Sequence, residues 1–239
     1  MRLTVVGSSP AWPNPGGAQS GYLLEGPGRL LLDCGTGVLA KLRETQAWPE
    51  LDAIVISHFH LDHWGDLVPW VWGAVYGPGR ELPPPPLYLP PGGRGYLAGL
   101  SGDLGGGPDM FERAFDIREY QVGAVQTVAG FELEPVAVRH YTIPTHGFRV
   151  SDGAATLAYS ADTAPGQALV ELARDVDLFL CEATLAVWEP EPRGHLSLAE
   201  AESTFEASGA ARLLVTHRPQ ELPVGEAIEL AHDGLVLEL

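Results

Sequence analysis

A dense group of histidine and aspartate residues lies between positions 58 and 63. The segment reads His58-Phe59-His60-Leu61-Asp62-His63, so three imidazoles and one carboxylate fall within six residues. These groups would repel one another or lack partners unless they shared a bound cation, and a pair of metal ions satisfies them. Imidazole and carboxylate ligands suit zinc, manganese or iron, and the lack of thiolates argues against a structural zinc site. The segment predicts a binuclear metal site, with zinc as the first expectation, in a metal-dependent hydrolase.

Other polar residues also stand directly after apolar, strand-like runs. They are Asp33, His140, Asp162 and His217, while the histidine-rich segment follows the apolar run 53–57. In α/β proteins the active-site groups are displayed beyond the carboxyl ends of strands. We therefore expect these residues to meet in one site. The rival interpretation, a polar loop of solvated histidines, does not account for the buried strand before the segment.

Short β-rich runs alternate with helix-like segments, which predicts an α/β fold of helices layered over sheet. The best-specified helix is Leu198–Ser208, because Ser197 and Glu200 form a capping box and Gly209 ends it. Asp233-Gly234 predicts a hairpin turn between strands 227–231 and 235–239. Further strands are expected at 3–6, 21–24, 29–33, 53–57, 87–89, 131–139, 155–160, 176–181 and 212–216, and helices at 38–45, 66–76 and 166–174.

Length and composition favour one large domain. The 239 residues are 45% hydrophobic, and we expect a single domain over 1–239, with the Pro- and Gly-rich stretch 77–108 as surface loops. The apolar run at the N-terminus is too short for a signal peptide or a membrane span, which favours a soluble, cytoplasmic protein. Cys34 and Cys181 lie among apolar residues and are expected to be buried, reduced thiols.

The charge balance bears on the partner. Thirty-one acidic residues against fourteen basic ones give a formal charge of −17, and Lys and Arg do not cluster. Extended nucleic-acid binding is therefore disfavoured, because it depends on many cationic contacts with phosphates. Small anionic substrates stay possible, because bound metal dications would reverse the potential inside the site.

The His-x-His-x-Asp-His segment resembles the signature of the metallo-β-lactamase fold superfamily. The resemblance extends along nearly the whole chain, with motifs at 29–37, 139–149, 159–163 and 214–217. It implies a four-layer αβ/βα sandwich, in which two mixed β-sheets are flanked by helices. It also implies that His58, His60 and His140 hold one ion, that Asp62, His63 and His217 hold the other, and that Asp162 bridges them. A hydroxide shared by the two ions would be the nucleophile.

Three features resemble the ribonuclease Z-like phosphodiesterase branch of this superfamily. They are the His140-to-Arg149 motif, Glu182 after a buried strand, and Gly194-His195-Leu196-Ser197 before a helix. The resemblance implies that His195 protonates the leaving alcohol and that Glu182 assists it, so the candidate catalytic residues are Asp62, His195 and Glu182. The N-terminus of the following helix would favour a neutral imidazole or a phosphate oxygen at His195.

One departure from ribonuclease Z bears on the size of the substrate. That enzyme carries a tRNA-clamping arm between the segments matching His140 and Asp162, where this chain has only twenty-one residues. With the acidic charge, this shifts the expected substrate to a small phosphodiester, such as a cyclic nucleotide. Arg149 and Arg218 are candidates to clamp it. His146 is expected at the surface, without a metal role.

Three alternatives stay open. The first is tRNA 3′-end processing, with the RNA held by a partner subunit instead of an arm. The second is ester, thioester or sulfate-ester hydrolysis by the same metal pair. The third is a non-catalytic metal-binding sensor on a retained fold. A homodimer is expected from the resemblance.

Overall fold

Two β-sheets of seven strands each form the centre of the computed structural model, which describes residues 1–239. The first sheet contains β1 (Arg2–Gly7), β2 (Gly21–Glu25), β3 (Arg29–Leu32), β4 (Ala53–Val55), β5 (Pro86–Leu89), β6 (Asp116–Glu119) and β14 (Val236–Glu238). The second contains β7 (Gln126–Val128), β8 (Phe131–His140), β9 (Ile143–Ser151), β10 (Thr156–Tyr159), β11 (Leu178–Glu182), β12 (Leu213–Thr216) and β13 (Glu229–Leu230). The helices are α1 (Val38–Leu42), α2 (Leu61–Trp64), α3 (Leu67–Tyr76), α4 (Gly93–Ser101), α5 (Gln167–Leu172) and α6 (Leu198–Ser208).

Both sheets are mixed. The strand order of the first is β14-β1-β2-β3-β4-β5-β6, antiparallel as far as β3 and parallel from β3 to β6. The second runs β13-β12-β11-β10-β9-β8-β7, parallel as far as β10 and antiparallel beyond it. Each sheet therefore has one parallel half, whose strands are joined by helical or loop crossovers on its outer face.

The parallel strands are apolar on both faces because each sheet is covered on both sides. In β3, Leu30 and Leu32 belong to the core between the sheets, whereas Leu31 belongs to the core outside the first sheet. This alternation follows from the two-residue period of a strand. The outer core of the first sheet includes residues of α1, α3 and α4, and that of the second includes residues of α5 and α6. The predicted four-layer αβ/βα sandwich is confirmed.

The strand ends place the polar residues. Asp33 follows β3, the histidine-rich segment follows β4, His140 ends β8, Asp162 follows β10 and His217 follows β12. A further carboxylate, Glu182, ends β11 between β10 and β12. Because these strand ends lie together, side chains far apart in sequence converge at one edge of the sandwich.

The predicted hairpin at Asp233-Gly234 is wrong. β13 pairs with β12 in the second sheet, whereas β14 pairs with β1 in the first. The carboxylate of Asp233 accepts hydrogen bonds from the backbone NH groups of Ser8, at 3.2 Å, and Ala18, at 2.7 Å. These long-range contacts fix Asp233 beside Ser8 and Ala18. The segments on either side of it, β13 and β14, therefore belong to different sheets.

Strand β9 was not expected from the sequence, because Pro144 and Gly147 are typical of a turn. Gly147 is required by close packing in the sheet: a Cβ atom there would lie 2.4 Å from Cδ2 of Leu172 and 2.8 Å from the carbonyl oxygen of Tyr159. Glycine in a strand often marks such an approach. The capping box of Ser197 and Glu200 is confirmed, and α6 has the predicted limits.

Cys34 and Cys181 are both buried and free. None of the helices combines the length and the hydropathy that a membrane crossing requires. The single-domain organisation over 1–239 stays a prediction.

Candidate metal centre

Seven donor residues converge beyond the strand ends and form two groups that share Asp162. The first group contains His58, His60, His140 and Asp162, and the second contains Asp62, His63, His217 and Asp162. In each group the donor atoms all lie within 4.8 Å of one another. The structure thus brings together every residue that the sequence nominated as a ligand, and Asp162 lies where the resemblance implies a bridging carboxylate.

The spacing of the donor atoms suits metal ions. In the first group, Oδ2 of Asp162 lies 3.8 Å from Nε2 of His58 and 3.7 Å from Nε2 of His140. In the second, Nε2 of His217 lies 3.0 Å from Oδ2 of Asp62 and 3.5 Å from Oδ1 of Asp162. A tetrahedral ion with ligand bonds of roughly 2.0–2.1 Å separates its donor atoms by about 3.3 Å. The observed separations lie on both sides of that value.

Three of the donor atoms are buried without a hydrogen-bond partner: Nε2 of His58, Nε2 of His63 and Oδ1 of Asp162. A buried polar atom without a partner destabilises the folded state, and such atoms are rare in native proteins. Two cations, one in each donor group, would satisfy all three. The residues therefore fit the divalent metal ions that the resemblance implies.

Asp33 orients His63 directly and His58 through the hydroxyl of Ser57. Its Oδ2 accepts hydrogen bonds from Nδ1 of His63, at 2.7 Å, and from the hydroxyls of Ser57, at 2.8 Å, and Tyr159, at 2.7 Å. Since the Ser57 hydroxyl donates to Asp33, its oxygen can accept from Nδ1 of His58, 3.0 Å away. Both imidazoles then carry their proton on Nδ1, so each directs the lone pair of Nε2 into the cluster.

The other two Nε2 ligands are oriented in the same way. Nδ1 of His140 lies 2.7 Å from the carbonyl oxygen of Gly194, and Nδ1 of His217 lies 2.8 Å from the hydroxyl oxygen of Thr184. That hydroxyl lies 2.9 Å from Oε2 of Glu182, to which it can donate. Burial lowers the pKa of His140 to about 4, so its imidazole is neutral and able to bind a metal near neutral pH.

His195 stands beside the two donor groups. Its Nδ1 lies 2.8 Å from Oε1 of Glu182, and its ring is stacked on that of His217 at 5.9 Å and meets that of His140 edge-on at 4.8 Å. Burial lowers the pKa of His195, but the charge of Glu182 and its hydrogen bond outweigh that effect and raise the pKa to about 9. The helix N-terminus predicted a neutral imidazole or a phosphate oxygen at His195; the contact with Glu182 favours the imidazolium, because a full carboxylate charge in contact exceeds the partial charge of a helix end.

The side chain of Glu182 is fixed in place by several hydrogen-bond donors. It is buried, and besides His195 and the Thr184 hydroxyl it accepts hydrogen bonds from the backbone NH groups of Thr163, Thr184 and Leu196. Its carboxyl group therefore contacts His195 directly and reaches His217 through the hydroxyl of Thr184. The sequence did not reveal Ser57, Tyr159 or Thr184 as supports; their only signal was their place beside the motif residues.

We expect Asp33→Asn to weaken metal binding by about 10- to 100-fold, because the amide removes the charge that orients His63 and Ser57. Competition with a chromophoric zinc chelator measures this affinity, and circular dichroism confirms that the variant is folded. Asp103→Asn, in an exposed loop, is the matched control. An unchanged zinc affinity in Asp33→Asn would show that the ligand orientation does not depend on Asp33.

Gly35 packs against the backbone of the metal-binding segment. A Cβ atom there would lie 2.0 Å from the carbonyl oxygen of Asp62. We expect Gly35→Ala to reduce the free energy of unfolding by about 1–3 kcal/mol, as overpacking does, and to lower metal content. Gly95→Ala in α4 is the control, because its Cβ would meet nothing within 4 Å and should be neutral or stabilising. Urea denaturation distinguishes the two; equal stabilities would contradict the close approach.

The two arginines expected to clamp substrate do not do so. The guanidinium of Arg149 donates to the carbonyl oxygens of Leu172, at 3.3 Å, and Arg174, at 2.8 Å, outside the metal cluster. Arg218 lies next to His217, but it is buried and its guanidinium donates to the carbonyls of Ala183 and Leu222. Both side chains brace the backbone, because unpaired buried carbonyls take the available donors.

His146 is also not where it was expected. It is buried, and its Nδ1 lies 2.9 Å from the hydroxyl of Tyr120. Its place on β9, a strand that the sequence did not predict, explains the error. His232, by contrast, is exposed and outside the cluster.

Comparisons with known proteins agree with the site. The family model described as the beta-lactamase superfamily domain matches residues 28–218. An uncharacterized protein of Mycobacterium tuberculosis, Rv1339, is 37% identical over 227 residues, which cover 92% of this chain and 81% of that protein. The ribonuclease Z of Mycolicibacterium paratuberculosis is 28% identical over 95% of this chain and 89% of its own length.

Solved structures show the same fold. The crystal structure of YhfI from Bacillus subtilis, a metallo-beta-lactamase fold protein, superposes with a TM-score of 0.84 at 25% identity, covering 99% of this chain and 98% of that one. Human tRNase Z, short form, gives a TM-score of 0.78 at 22% identity, covering 100% of this chain and 99% of that one.

The chain therefore belongs to the beta-lactamase superfamily. It is a metallo-hydrolase related to ribonuclease Z, and its clustered histidines and aspartates are the groups available to hold divalent metal ions.

Proposed function

We propose that this protein is a dinuclear metal-dependent phosphodiesterase that acts on small or cyclic phosphodiesters. The observation that carries the proposal is the position of His195. A histidine bonded to a buried carboxylate stands against two four-residue donor groups that share Asp162. Hydrolysis of a diester with an alcohol leaving group needs both a metal-activated nucleophile and a proton donor, and this arrangement contains the residues for each.

Seven residues would hold the two metal ions. His58, His60 and His140 would hold one ion, Asp62, His63 and His217 the other, and Asp162 both. When bound, the two ions, zinc in our proposal with manganese or iron as alternatives, would activate water near neutral pH and neutralise charge on the phosphoryl oxygens. Asp62 and Asp162, as carboxylates, would reduce the net charge of the loaded site.

His195 would act as the general acid. Its Nδ1 is occupied by Glu182, which leaves Nε2, an atom with no hydrogen bond inside the chain, to donate a proton to the leaving oxygen. Because the pKa of His195 is raised to about 9, the imidazolium is present at neutral pH. Glu182 would stabilise that imidazolium and fix the direction of the ring.

The substrate would be small. The formal charge of −17 does not suit a polyanion. Arg149 lies outside the metal cluster, and the guanidinium of Arg218, beside it, is bonded to backbone carbonyls. The segment between His140 and Asp162 consists of β9, β10 and their connections. It leaves no room for an added RNA-binding arm.

A panel of phosphodiesters tests the proposal. Protein reconstituted with zinc or manganese would be assayed on bis-p-nitrophenyl phosphate, cyclic nucleotides and precursor tRNA. We expect turnover of the small diesters and none of precursor tRNA. Cleavage of precursor tRNA at its 3′ end would instead support the function named for the ribonuclease Z relatives. Turnover of thioesters or sulfate esters but of no diester would contradict the proposal.

A further inference from the structure

A groove opens beside His195. It encloses about 630 Å³, and the residues along it include Trp12, Tyr141, Glu189, His195 and Glu221. Since His195 forms part of both the groove and the catalytic cluster, a group attached to a phosphoryl centre at the metals would extend into this space. The residues of the groove would then decide which group is accepted.

Two aromatic side chains form walls of the groove. Trp12 is 54% exposed and Tyr141 is 49% exposed, so both rings are accessible to a ligand in the groove. Tyr141 has a φ of 49°, a strained conformation for a tyrosine, directly after His140. Its ring lies over Gly194, where a Cβ would come within 2.5 Å of it. The ring also lies 5.0 Å from that of His140 and 5.8 Å from that of His195, so it stands between the candidate metal ligands and the groove.

The loop that carries Trp12 is anchored although the indole is exposed. The side-chain amide of Asn14 donates to the carbonyl oxygen of Arg218, at 3.1 Å, and its side-chain oxygen accepts from the NH of Gln220, at 3.0 Å. The NH of His217 donates to the carbonyl oxygen of Ser8, at 3.0 Å. The loop that carries Trp12 is therefore fixed against residues 218–220, the segment that follows the candidate ligand His217.

The charge of the groove is negative. Glu189 and Glu221 line it, and no lysine or arginine does. Arg218 lies near, but its guanidinium is committed to backbone carbonyls. Positive charge would come from the metals and from His195, which face the scissile phosphate and its leaving oxygen. A second anionic group farther along the groove would meet the carboxylates of Glu189 and Glu221 without an arginine or lysine to offset them, whereas an amine or ring NH would find acceptors.

We propose that this groove binds the organic part of the diester as a flat ring, neutral or amine-bearing, stacked against Trp12 and Tyr141. Glu189 and Glu221 reject substrates that carry further negative charge in that position. The inference rests on the proposed function, because it takes the metals as the place of the phosphoryl group. It names the substrate class as diesters of a single aromatic or heteroaromatic group without additional phosphates or carboxylates.

Binding of non-hydrolysable phosphonates tests the groove. Titration calorimetry on the zinc-loaded full chain would compare methylphosphonate, 4-(aminomethyl)benzylphosphonate and 4-carboxybenzylphosphonate. We expect the aminomethyl ligand to bind about tenfold more tightly than the carboxy ligand, and the double variant Glu189→Gln, Glu221→Gln to reduce that ratio to about twofold. Trp12→Ala should weaken both benzyl ligands about tenfold and leave methylphosphonate within about twofold.

The controls are Glu226→Gln and Trp72→Ala, both outside the groove, which should leave all three affinities unchanged. Equal affinities for the two benzyl ligands in the native protein would overturn the charge selection. An equal loss for methylphosphonate and the benzyl ligands in Trp12→Ala would overturn the stacking wall. If the binding preference holds but no diester is hydrolysed, the inference about the groove is supported and the proposed function is wrong. If diesters are hydrolysed but the preference is absent, the proposed function is supported and the inference about the groove is wrong.

Discussion

Replacing Asp162 by alanine is expected to reduce bound metal from about two ions per chain to one or fewer and diester hydrolysis by at least about a thousandfold. The physical reason is that this one carboxylate belongs to both donor groups, at 3.8 Å from Nε2 of His58 and 3.2 Å from Nε2 of His63. Its loss would leave each group with three donors and no shared ligand. Metal content is measured by plasma emission spectrometry on dialysed protein, and activity by release of p-nitrophenol from its bis-ester.

Asp116→Ala is the matched control, because Asp116 is exposed at the start of β6 and pairs only with Arg118. It should retain both metal and activity. If Asp162→Ala kept two ions per chain and an ordinary rate, the shared-ligand arrangement would be wrong even if the histidines still bound metal. Loss of metal with the fold intact, seen by circular dichroism, is the expected combination.

The second large effect is expected at His195. His195→Ala should lower kcat/KM about 100- to 1,000-fold on diesters with an alkyl alcohol leaving group. It should lower it less than about tenfold on p-nitrophenyl diesters, because p-nitrophenolate leaves without needing a proton. The contrast between the two substrates separates a proton donor from a residue that only shapes the site. Equal losses on both substrates would rule out the general-acid role.

Two further variants sharpen this test. Glu182→Gln keeps the shape of the side chain but removes the charge that raises the pKa of His195, so it should reproduce part of the alkyl-specific loss. His232→Ala, at an exposed position outside the metal cluster, should behave as the unmodified protein on both substrates. A general loss in Glu182→Gln, equal for alkyl and p-nitrophenyl diesters, would instead indicate that Glu182 acts through Thr184 on the metal ligand His217.

The candidate metal ligands could be nominated from the sequence because their signal is local. His58, His60, Asp62 and His63 lie within six residues, in the loop after the buried strand β4 and in the short helix α2. His140, Asp162 and His217 each stand where an apolar run ends. Polar groups at the carboxyl ends of neighbouring strands must meet, so residue type and place along the chain were sufficient to nominate them.

The roles of the other charged residues depended on partners far away in sequence. Arg149 and Arg218 were candidate anion ligands because of their residue type, but the guanidinium of each donates hydrogen bonds to backbone carbonyls instead. The failed hairpin has the same origin: Asp233 bonds to Ser8, 225 positions earlier, and that contact separates the two strands into different sheets. No local pattern encodes such pairings.

By itself, then, the sequence determined the kind of chemistry: the ligand set, the alternation of helix and strand, and the acidic character that disfavours a polyanionic substrate. Only the tertiary structure decided how that chemistry is completed. It paired His195 with Glu182, which lies thirteen positions earlier in the chain. It brought Asp33 to His63, thirty positions later, and it placed Trp12 and Glu221 in the same groove. The reason is that donor types are a property of residues, whereas hydrogen-bond partners, pKa shifts and pocket walls are properties of the distances that folding creates.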